Sequence, residues 1–174
     1  MTLIEALQGF IDELNWEDQL DPDPERQIAR LDTRMTHKER GYRLVIEADD
    51  QRHLLSLLLY NEITIAESRY AEALELANAI NTRMRTGCIC VTPGRAFRYG
   101  QTVDLEGVAP VPLVIHNMVD AGLRTLSLWQ EEMGRIIFTR TSTKTVLAEI
   151  DAEGGDEASH SPASVRSPAP TTVQ

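Results

Sequence analysis

The sequence predicts an α+β fold in which an antiparallel sheet of about five strands is covered by three main helices. Segments with apolar residues at helical spacing alternate with short runs of strand-forming residues, in the order helix, three strands, helix, two strands, helix. Strand runs that follow one another across short turns favour antiparallel pairing, with the helices on one side of the sheet. The composition supports a globular chain, since 42% of the residues are hydrophobic and 25% are charged.

The chain has 174 residues, which is enough for one domain and a tail. From Asp151 to Gln174 it contains no Leu, Ile, Phe, Met, Trp or Tyr and is rich in Ser, Pro, Ala and Thr. Such a segment cannot bury enough apolar surface to offset its conformational entropy. We therefore expect a folded domain over residues 1–150 and a disordered tail over residues 151–174.

The charge of the chain excludes some classes of function. A net charge of −10 disfavours a nucleic-acid binder, because phosphate contact depends on clustered Lys and Arg. No apolar run approaches the roughly 20 residues that cross a bilayer. The first basic side chain is that of Arg26, so the N-terminus lacks the basic region of a signal peptide. We expect a cytoplasmic protein that binds neither nucleic acid nor membrane.

The first helix is predicted over residues 3–14. Thr2 and Glu5 have the spacing of a capping box, and apolar residues then recur at helical spacing. Residues 17–25 predict an acidic loop, because their two prolines fit neither a continuing helix nor a central strand. Residues 27–36 fit both a strand and a helix, and we favour the strand.

Two antiparallel hairpins are predicted. In the first, residues 42–47 and 53–60 are rich in β-formers and are separated by an Asp-Asp turn at residues 49–50. In the second, residues 88–91 and 96–103 flank a Thr-Pro-Gly-Arg turn. The hairpins supply at least four strands of the sheet.

The second helix is predicted over residues 65–84, with Thr64 and Glu67 as a capping box and Gly87 as a stop signal. The third helix begins at two prolines, at residues 110 and 112, which suit a first helical turn. It extends to about residue 134, or as far as Phe138. The Thr-rich residues 136–150 fit a short strand or a short helix.

Cys88 and Cys90 are the first place to look for metal or redox chemistry. On a strand their Cβ atoms lie about 6.6 Å apart on one face, too far for a disulfide between them. The four histidines share no local spacing with the cysteines, so the ligands for a closed zinc site are lacking. We expect two small buried apolar side chains and no metal or cofactor.

His116 and Asp120 lie four residues apart on the third helix and could touch as a general-base pair. This pair supports an alternative function, that of a small hydrolase or ligand-binding enzyme. Such pairs are also common on helix surfaces, and no nucleophile elbow, phosphate-binding loop or HExxH motif accompanies this one. We favour a protein with no catalytic residues.

The N-terminal part of the sequence carries two opposed blocks of charge. Residues 1–25 contain eight acidic side chains and no basic one, whereas residues 26–43 contain six basic and two acidic ones. We expect the blocks to pair with each other or to be solvated. The alternative is that one of them offers a surface to a charged partner.

Three segments of the chain carry a resemblance to a known family. They are GYRLVIEADDQRHLLSLLLYNEITI, then AEALELANAINTRMRTGCICV with Asn81 and Gly87, then FRYGQTVDLEG. Residues 41–107 resemble the YbjN family, described as bacterial sensory-transduction regulators, and weaker likeness continues to about Leu128. The resemblance implies a fold like that of type III secretion chaperones, which are small acidic α+β proteins that dimerise and bind polypeptides. It implies no catalytic residues, and we expect Asn81 to bond local backbone.

We therefore expect a non-enzymatic protein-interaction or regulatory module with a protein partner, a secretion chaperone proper being a further alternative. A sheet with an open edge could pair with an extended segment or with a second copy.

A homodimer is expected because the third helix has more apolar residues than one sheet face needs. If it persists, Ile137 and Phe138 diverge from the face of Met133 at about 100° per residue. The candidate interface residues are Trp129, Met133, Ile137 and Phe138. The alternative is that residues 143–150 fold back over this surface through Val146, Leu147 and Ile150.

Overall fold

A computed structural model describes residues 1–157 of the chain. Its elements are α1 (Leu3–Glu13), β1 (Asp21–Asp23), β2 (Ile28–His37), β3 (Arg40–Asp49), β4 (Leu54–Asn61), α2 (Tyr70–Asn81), β5 (Cys88–Val91), β6 (Phe97–Asp104), α3 (Pro112–Leu128), α4 (Gln130–Phe138) and α5 (Thr143–Glu157). The predicted α+β class is confirmed. Among these residues the sheet has six strands rather than five, and no helix is long and apolar enough to cross a bilayer.

The sheet is antiparallel throughout, with the strand order β1-β2-β3-β4-β6-β5. Alternate residues of each strand point to opposite faces, and on one face they are fully buried, as are Leu44, Leu57 and Tyr99. We call this the inner face, because α1 and α3 pack on it through residues such as Phe10 and Ile115. The core therefore lies between one side of the sheet and the helical layer.

The N-terminal helix begins as predicted. The Glu5 N–H donates to Thr2 Oγ1 at 3.2 Å, and the Thr2 N–H donates to the Glu5 carboxylate at 2.8 Å. Each end of the capping box thus satisfies a backbone donor that the first helical turn leaves unpaired. Leu7 and Phe10 on the buried side of α1 are no more than 1% exposed.

The predicted acidic loop contains the short strand β1, which the sequence did not lead us to expect. Pro22 lies opposite Ala29 of β2 at the edge of the sheet. An edge strand accommodates proline, because its missing N–H need not remove a ladder hydrogen bond. The preference for a strand over residues 27–36 is confirmed by β2.

The second helix is shorter than predicted, and its predicted capping box is wrong. A 3-10 turn at Glu67–Arg69 precedes α2, and neither element has a side-chain N-cap hydrogen bond. The physical reason lies at Ile65, which is fully buried and whose N–H donates to the Arg95 carbonyl at 2.7 Å. This contact ties the chain to the β5–β6 turn, so the helix begins later.

The predicted third helix is two helices. Trp129 has φ −96° and ψ 15°, which ends α3 and starts α4 in a new direction. Beyond α4, residues 143–150 fold back onto the core, where Val146 is fully buried and Leu147 and Ile150 pack against it. They do not cover Phe138, which is exposed, so the predicted cover of that surface is only partly formed. The neighbour of α5 is chiefly α2, where Thr143 Oγ1 donates to the Glu72 carbonyl at 2.8 Å.

The last helix crosses the expected domain boundary at Ile150 and continues to Glu157. Arg83 near the end of α2 pairs with Asp151 at 2.6 Å, and Arg135 of α4 pairs with Glu149 at 2.5 Å. The first residues of the predicted tail are therefore helical. The rest of that tail, residues 158–174, lies outside the described residues.

Candidate protein-binding face

The outer face of the sheet is the face on which, within the described residues, the helical layer does not pack. Its side chains alternate with the buried ones, so Arg43 and Glu47 are exposed on the same strand on which Leu44 and Ile46 are buried. We call this surface the open face. Its members are Arg30, Asp32, Arg34, Arg43, Val45, Glu47, Ser56, Leu58, Tyr60, Cys88, Cys90, Arg98, Gly100 and Thr102.

Strand register arranges the open face in three rows. The first crosses five strands as Arg34, Arg43, Tyr60, Arg98 and Cys90, and we call it the arginine–tyrosine row. The second, the apolar row, follows as Asp32, Val45, Leu58, Gly100 and Cys88. The third, the polar row, is Arg30, Glu47, Ser56 and Thr102.

Tyr60 lies at the centre of the arginine–tyrosine row between two cations. The guanidinium carbons of Arg43 and Arg98 are 5.6 and 5.7 Å from its ring centroid. Both distances are within the range of a cation–π contact. The arrangement holds three long side chains in place, so a contact made with them loses little further side-chain entropy.

Asp32 connects the arginines at one end of the open face. Its carboxylate accepts hydrogen bonds from Arg43 Nε at 2.8 Å and Nη2 at 2.6 Å, and from Arg30 Nη2 at 3.0 Å. The hydrogen bonds from Arg43 are the main reason that the pKa of Asp32 is lowered to about 2. Asp32 therefore stays ionised and fixes the orientation of both arginines.

Arg98 differs from the other arginines of the open face. Arg30 and Arg43 pair with Asp32, and Arg34 pairs with Glu62 at 2.8 Å. Within residues 1–152, Arg98 pairs with no carboxylate, and its Nε is buried without a hydrogen-bond partner. A buried unpaired donor is costly.

The apolar row forms the apolar centre of the open face. Val45 is only 3% exposed although it points away from the helices, because longer side chains surround it. Leu58 lies opposite both Val45 and Gly100, and a Cβ at Gly100 would lie 3.4 Å from Leu58 Cδ2. A shallow cavity of about 250 Å³ opens over Val45 and Leu58. A patch with an apolar centre and a charged rim is typical of protein interfaces.

The largest cavity is poorly suited to a small-molecule ligand. It has a volume of about 590 Å³ and lies at the edge of the open face, lined by Asp18, Asp32, Thr33, Arg34 and Arg43. Pockets for small molecules are mostly apolar with a few polar groups, whereas four of these five side chains are charged.

The predicted catalytic pair is not formed. His116 Nε2 lies 2.9 Å from Glu13 Oε2, and the imidazole packs edge-on against Phe10 with ring centroids 4.7 Å apart. Asp120 instead lies 3.8 Å from Arg124 Nη2. The histidine thus joins α3 to α1, and the expectation of a His116–Asp120 contact is wrong.

The expectation that both cysteines are buried is also wrong. Ile89 takes the inward position on β5, which places Cys88 and Cys90 on the open face, the first exposed and the second half-buried. Strand alternation allowed either face for the pair, and the sequence around it does not decide which. Among the described residues, no three His, Cys, Asp or Glu side chains are grouped as metal ligands.

Asn81 bonds backbone as expected, and the structure shows that this closes an edge of the sheet. Its Nδ2 donates to the Ile89 carbonyl at 2.8 Å, and the Ile89 N–H donates to its Oδ1 at 2.7 Å. The carboxamide thus bonds the backbone N–H and carbonyl of Ile89, which point away from β6 at the outer edge of the sheet. The nearby Gly87 has φ +67°, and a Cβ there would lie 2.5 Å from the Tyr99 hydroxyl oxygen.

The four candidate interface residues have different surroundings. Met133 is 1% exposed and belongs to the core, so its assignment to an interface is wrong. Trp129 and Ile137 are half-buried against the core, because α4 turns away from the direction of α3. Phe138 is 71% exposed. It alone of the four presents a free side chain.

The arginine–tyrosine row was missed by the sequence analysis. Alternating charged residues at Arg30, Asp32 and Arg34 were a signal for an exposed face of β2. The register that aligns Arg43, Tyr60 and Arg98 depends on turn geometry and on a crossover connection, neither of which a single sequence specifies.

Comparison with known proteins places the chain in a family. The profile of YbjN, described as "Putative bacterial sensory transduction regulator", matches residues 3–135. The crystal structure of YbjN, "a putative transcription regulator from E. coli", aligns with a TM-score of 0.44 and 11% identity over 87% of this chain and 92% of that chain. No curated protein sequence matches. Neither match names a type III secretion chaperone, so that likeness stays a prediction. Because the profile spans α1 to most of α4, the chain belongs to the YbjN family.

Proposed function

We propose that this chain is a non-enzymatic, cytoplasmic protein-interaction module that acts in bacterial regulation and binds its partner through the open face. The family description supports a regulatory role. The observation that carries the choice of surface is the arginine–tyrosine row, in which Tyr60 is held between Arg43 and Arg98. Tyr and Arg are the side chains most enriched in the energetic centres of protein interfaces.

The chemistry of the open face defines the partner. Apolar side chains of the partner would cover the cavity over Val45 and Leu58, and a carboxylate would pair with Arg98. A buried charge-assisted hydrogen bond between Arg98 and this carboxylate would fix the orientation of the partner as well as raise its affinity. The partner is thus a polypeptide with an apolar surface beside an acidic residue.

The surroundings of His116 favour binding over hydrolysis. Its carboxylate neighbour Glu13 comes from another helix, and the imidazole packs edge-on against Phe10 of the core. These contacts give His116 a structural role, since they connect α3 to α1.

A comparative capture experiment tests the proposal. Wild type, Arg98→Glu and the control Arg124→Glu are used to capture proteins from native lysate, and proteins that depend on Arg98 are identified by mass spectrometry. Arg124 lies on α3 and its side chain is 76% exposed, so its reversal matches the charge change on another surface. We expect a partner that the wild type and Arg124→Glu retain and Arg98→Glu loses.

The partner is then purified and its affinity measured by calorimetry. We expect Arg98→Glu and Tyr60→Ala to weaken binding by about tenfold or more, the effect of losing one interface centre. Melting curves show whether each variant is folded. Retention of all partners by a folded Arg98→Glu, or turnover of a bound small molecule by the wild type, would overturn the proposal.

A further inference from the structure

The two edges of the sheet are protected differently. On β5, the Asn81 carboxamide occupies the outward N–H and carbonyl of Ile89. On the other side, β1 covers only the first three residues of β2, from Ile28 to Arg30. The rest of this strand, residues 31–37, pairs with β3 on one side and has no described strand on the other, and we call it the free half of β2.

The free half of β2 presents backbone groups to a further strand. Pro22 cannot donate, so β1 bonds β2 through the residues opposite Asp21 and Asp23, which are Arg30 and Ile28. Along a strand, the backbone groups of successive residues point alternately towards the strand on one side and towards the other side, which here is the outer edge of β2. Asp32, Arg34 and Thr36 therefore direct their N–H and carbonyl groups outward, beyond the end of β1.

The same edge carries opposite charges at its two ends. The hairpin tip, His37–Arg40, contains Lys38, Glu39 and Arg40, which form no ion pair within residues 1–152 and give the tip a net positive charge. The acidic segment, residues 17–25, lies further along the same edge, where Asp18 lines a cavity with Asp32 and Asp21 lies opposite Arg30. Four of its carboxylates, those of Glu17, Asp18, Asp21 and Glu25, form no ion pair within residues 1–152.

The predicted internal pairing of the charge blocks is thus largely absent. Only Arg26 and Asp23 connect them, at 3.7 Å and three residues apart in the chain. Arg30 and Arg43 are satisfied within the hairpin by Asp32. This edge of the sheet thus has a positive end and a negative end, and neither is neutralised by the described residues. If a second copy of the edge is turned through 180°, its negative end lies beside the positive end of the first copy.

We propose that a second copy of this chain binds the free half of β2, antiparallel and about a two-fold axis, with each hairpin tip beside the acidic segment of its partner. This inference does not rest on the proposed function, because it uses a different surface. In a closed two-fold dimer, the charged ends of both copies are paired at once, and the free half of β2 is covered in both.

One register fits both the backbone and the charges. With the half-buried Met35 opposite the partner's Met35, Arg34 faces the partner's Thr36, and both direct their backbone groups into the interface. The two symmetric pairs would exchange four hydrogen bonds. Lys38 then lies opposite the partner's Asp32, beside the cavity that Asp18 lines. The hairpin tip thus reaches the acidic segment without any change in the strands.

A charge-exchange experiment tests the dimer. Light scattering on the full chain should give about twice the chain mass for the wild type at low salt. Lys38→Glu with Arg40→Glu makes both ends acidic, and Glu17→Lys with Asp18→Lys makes both ends basic. We expect each variant alone to dissociate at least about tenfold more readily, and their equimolar mixture to restore the dimer. The control Arg140→Glu with Lys144→Glu, which makes the same charge change at two exposed positions, should stay dimeric.

A backbone variant tests the edge separately. Thr36→Pro removes an outward N–H while leaving the bonds to β3 in place, so the chain should fold and be monomeric. The control Thr102→Ala, on the open face away from this edge, should leave the dimer unchanged. A monomeric wild type, or a dimer that persists in both charge variants, would overturn the proposal, as would a dimer lost only on Phe138→Asp.

Discussion

The two faces of the sheet are built from the same strands and are chemically opposite. On β4, Leu57 is fully buried against the helices, while its neighbour Leu58 is half-buried on the open face. The inner face is apolar and has its partner within the chain. The open face combines an apolar centre with four arginines and a central tyrosine, and within the described residues no helix packs on it. The difference indicates that substitutions on the inner face should change stability, whereas substitutions on the open face should change binding.

The largest expected effect separates two adjacent leucines. Leu57→Ala should lower the free energy of unfolding by about 2–5 kcal/mol, because it leaves a cavity in a closed core. Leu58→Ala should cost about 1 kcal/mol, since its site is already open to water. Denaturant unfolding of both variants measures the difference. Equal losses would show that the open face is as closed as the inner one.

A smaller effect is expected at the edge of the sheet. Asn81→Ala should cost about 1–3 kcal/mol, because the outward N–H and carbonyl of Ile89 lose their partners. Asn78→Ala, at an exposed position on the same helix, should be close to neutral. Thermal unfolding compares the two. If both variants behave alike, the carboxamide does not stabilise this edge.

A pH-dependent effect is expected on the open face. The folded-state pKa of Asp32 is about 2, below its unfolded value near 3.9, so its contribution is present above about pH 4 and is lost as the pH falls towards 2. Because the pair is partly exposed, Asp32→Asn should cost less than about 1 kcal/mol at pH 7. The difference from wild type should shrink between pH 4 and 2 in urea unfolding. A difference that does not vary with pH would contradict the assignment.

The smallest effect is expected at Phe138. Its side chain is 71% exposed, so Phe138→Asp should change the free energy of unfolding by no more than about 0.5 kcal/mol. Met133→Asp on the same helix places a charge in the core and should unfold the domain. Circular dichroism distinguishes the two variants. Unfolding by Phe138→Asp would mean that this side chain is part of the core after all.

Local patterns predicted most of the elements, and long-range geometry decided the rest. The capping box at Thr2 and the hairpin strands each depend on residues a few positions apart, whereas α2 ends at Asn81, before the predicted stop at Gly87. By contrast, the inward position of Ile89 and the alignment of Arg98 with Tyr60 depend on strands that a long connection brings together. The His116–Asp120 spacing was correct for contact on a helix, yet Glu13 of another helix provided the carboxylate. Residues distant in sequence thus determined the candidate site.

The most direct test of the central claim uses the two native cysteines as reporters of the open face. The rate at which an alkylating reagent modifies Cys88 and Cys90 is measured by mass spectrometry, with and without the captured partner. Lys144→Cys, at an exposed position on α5, supplies a control thiol on another surface. We predict that the partner slows modification of Cys90, at the end of the arginine–tyrosine row, and leaves the control thiol unchanged. Equal reactivity of Cys90 in the free and bound protein, at saturating partner, would contradict binding through the open face.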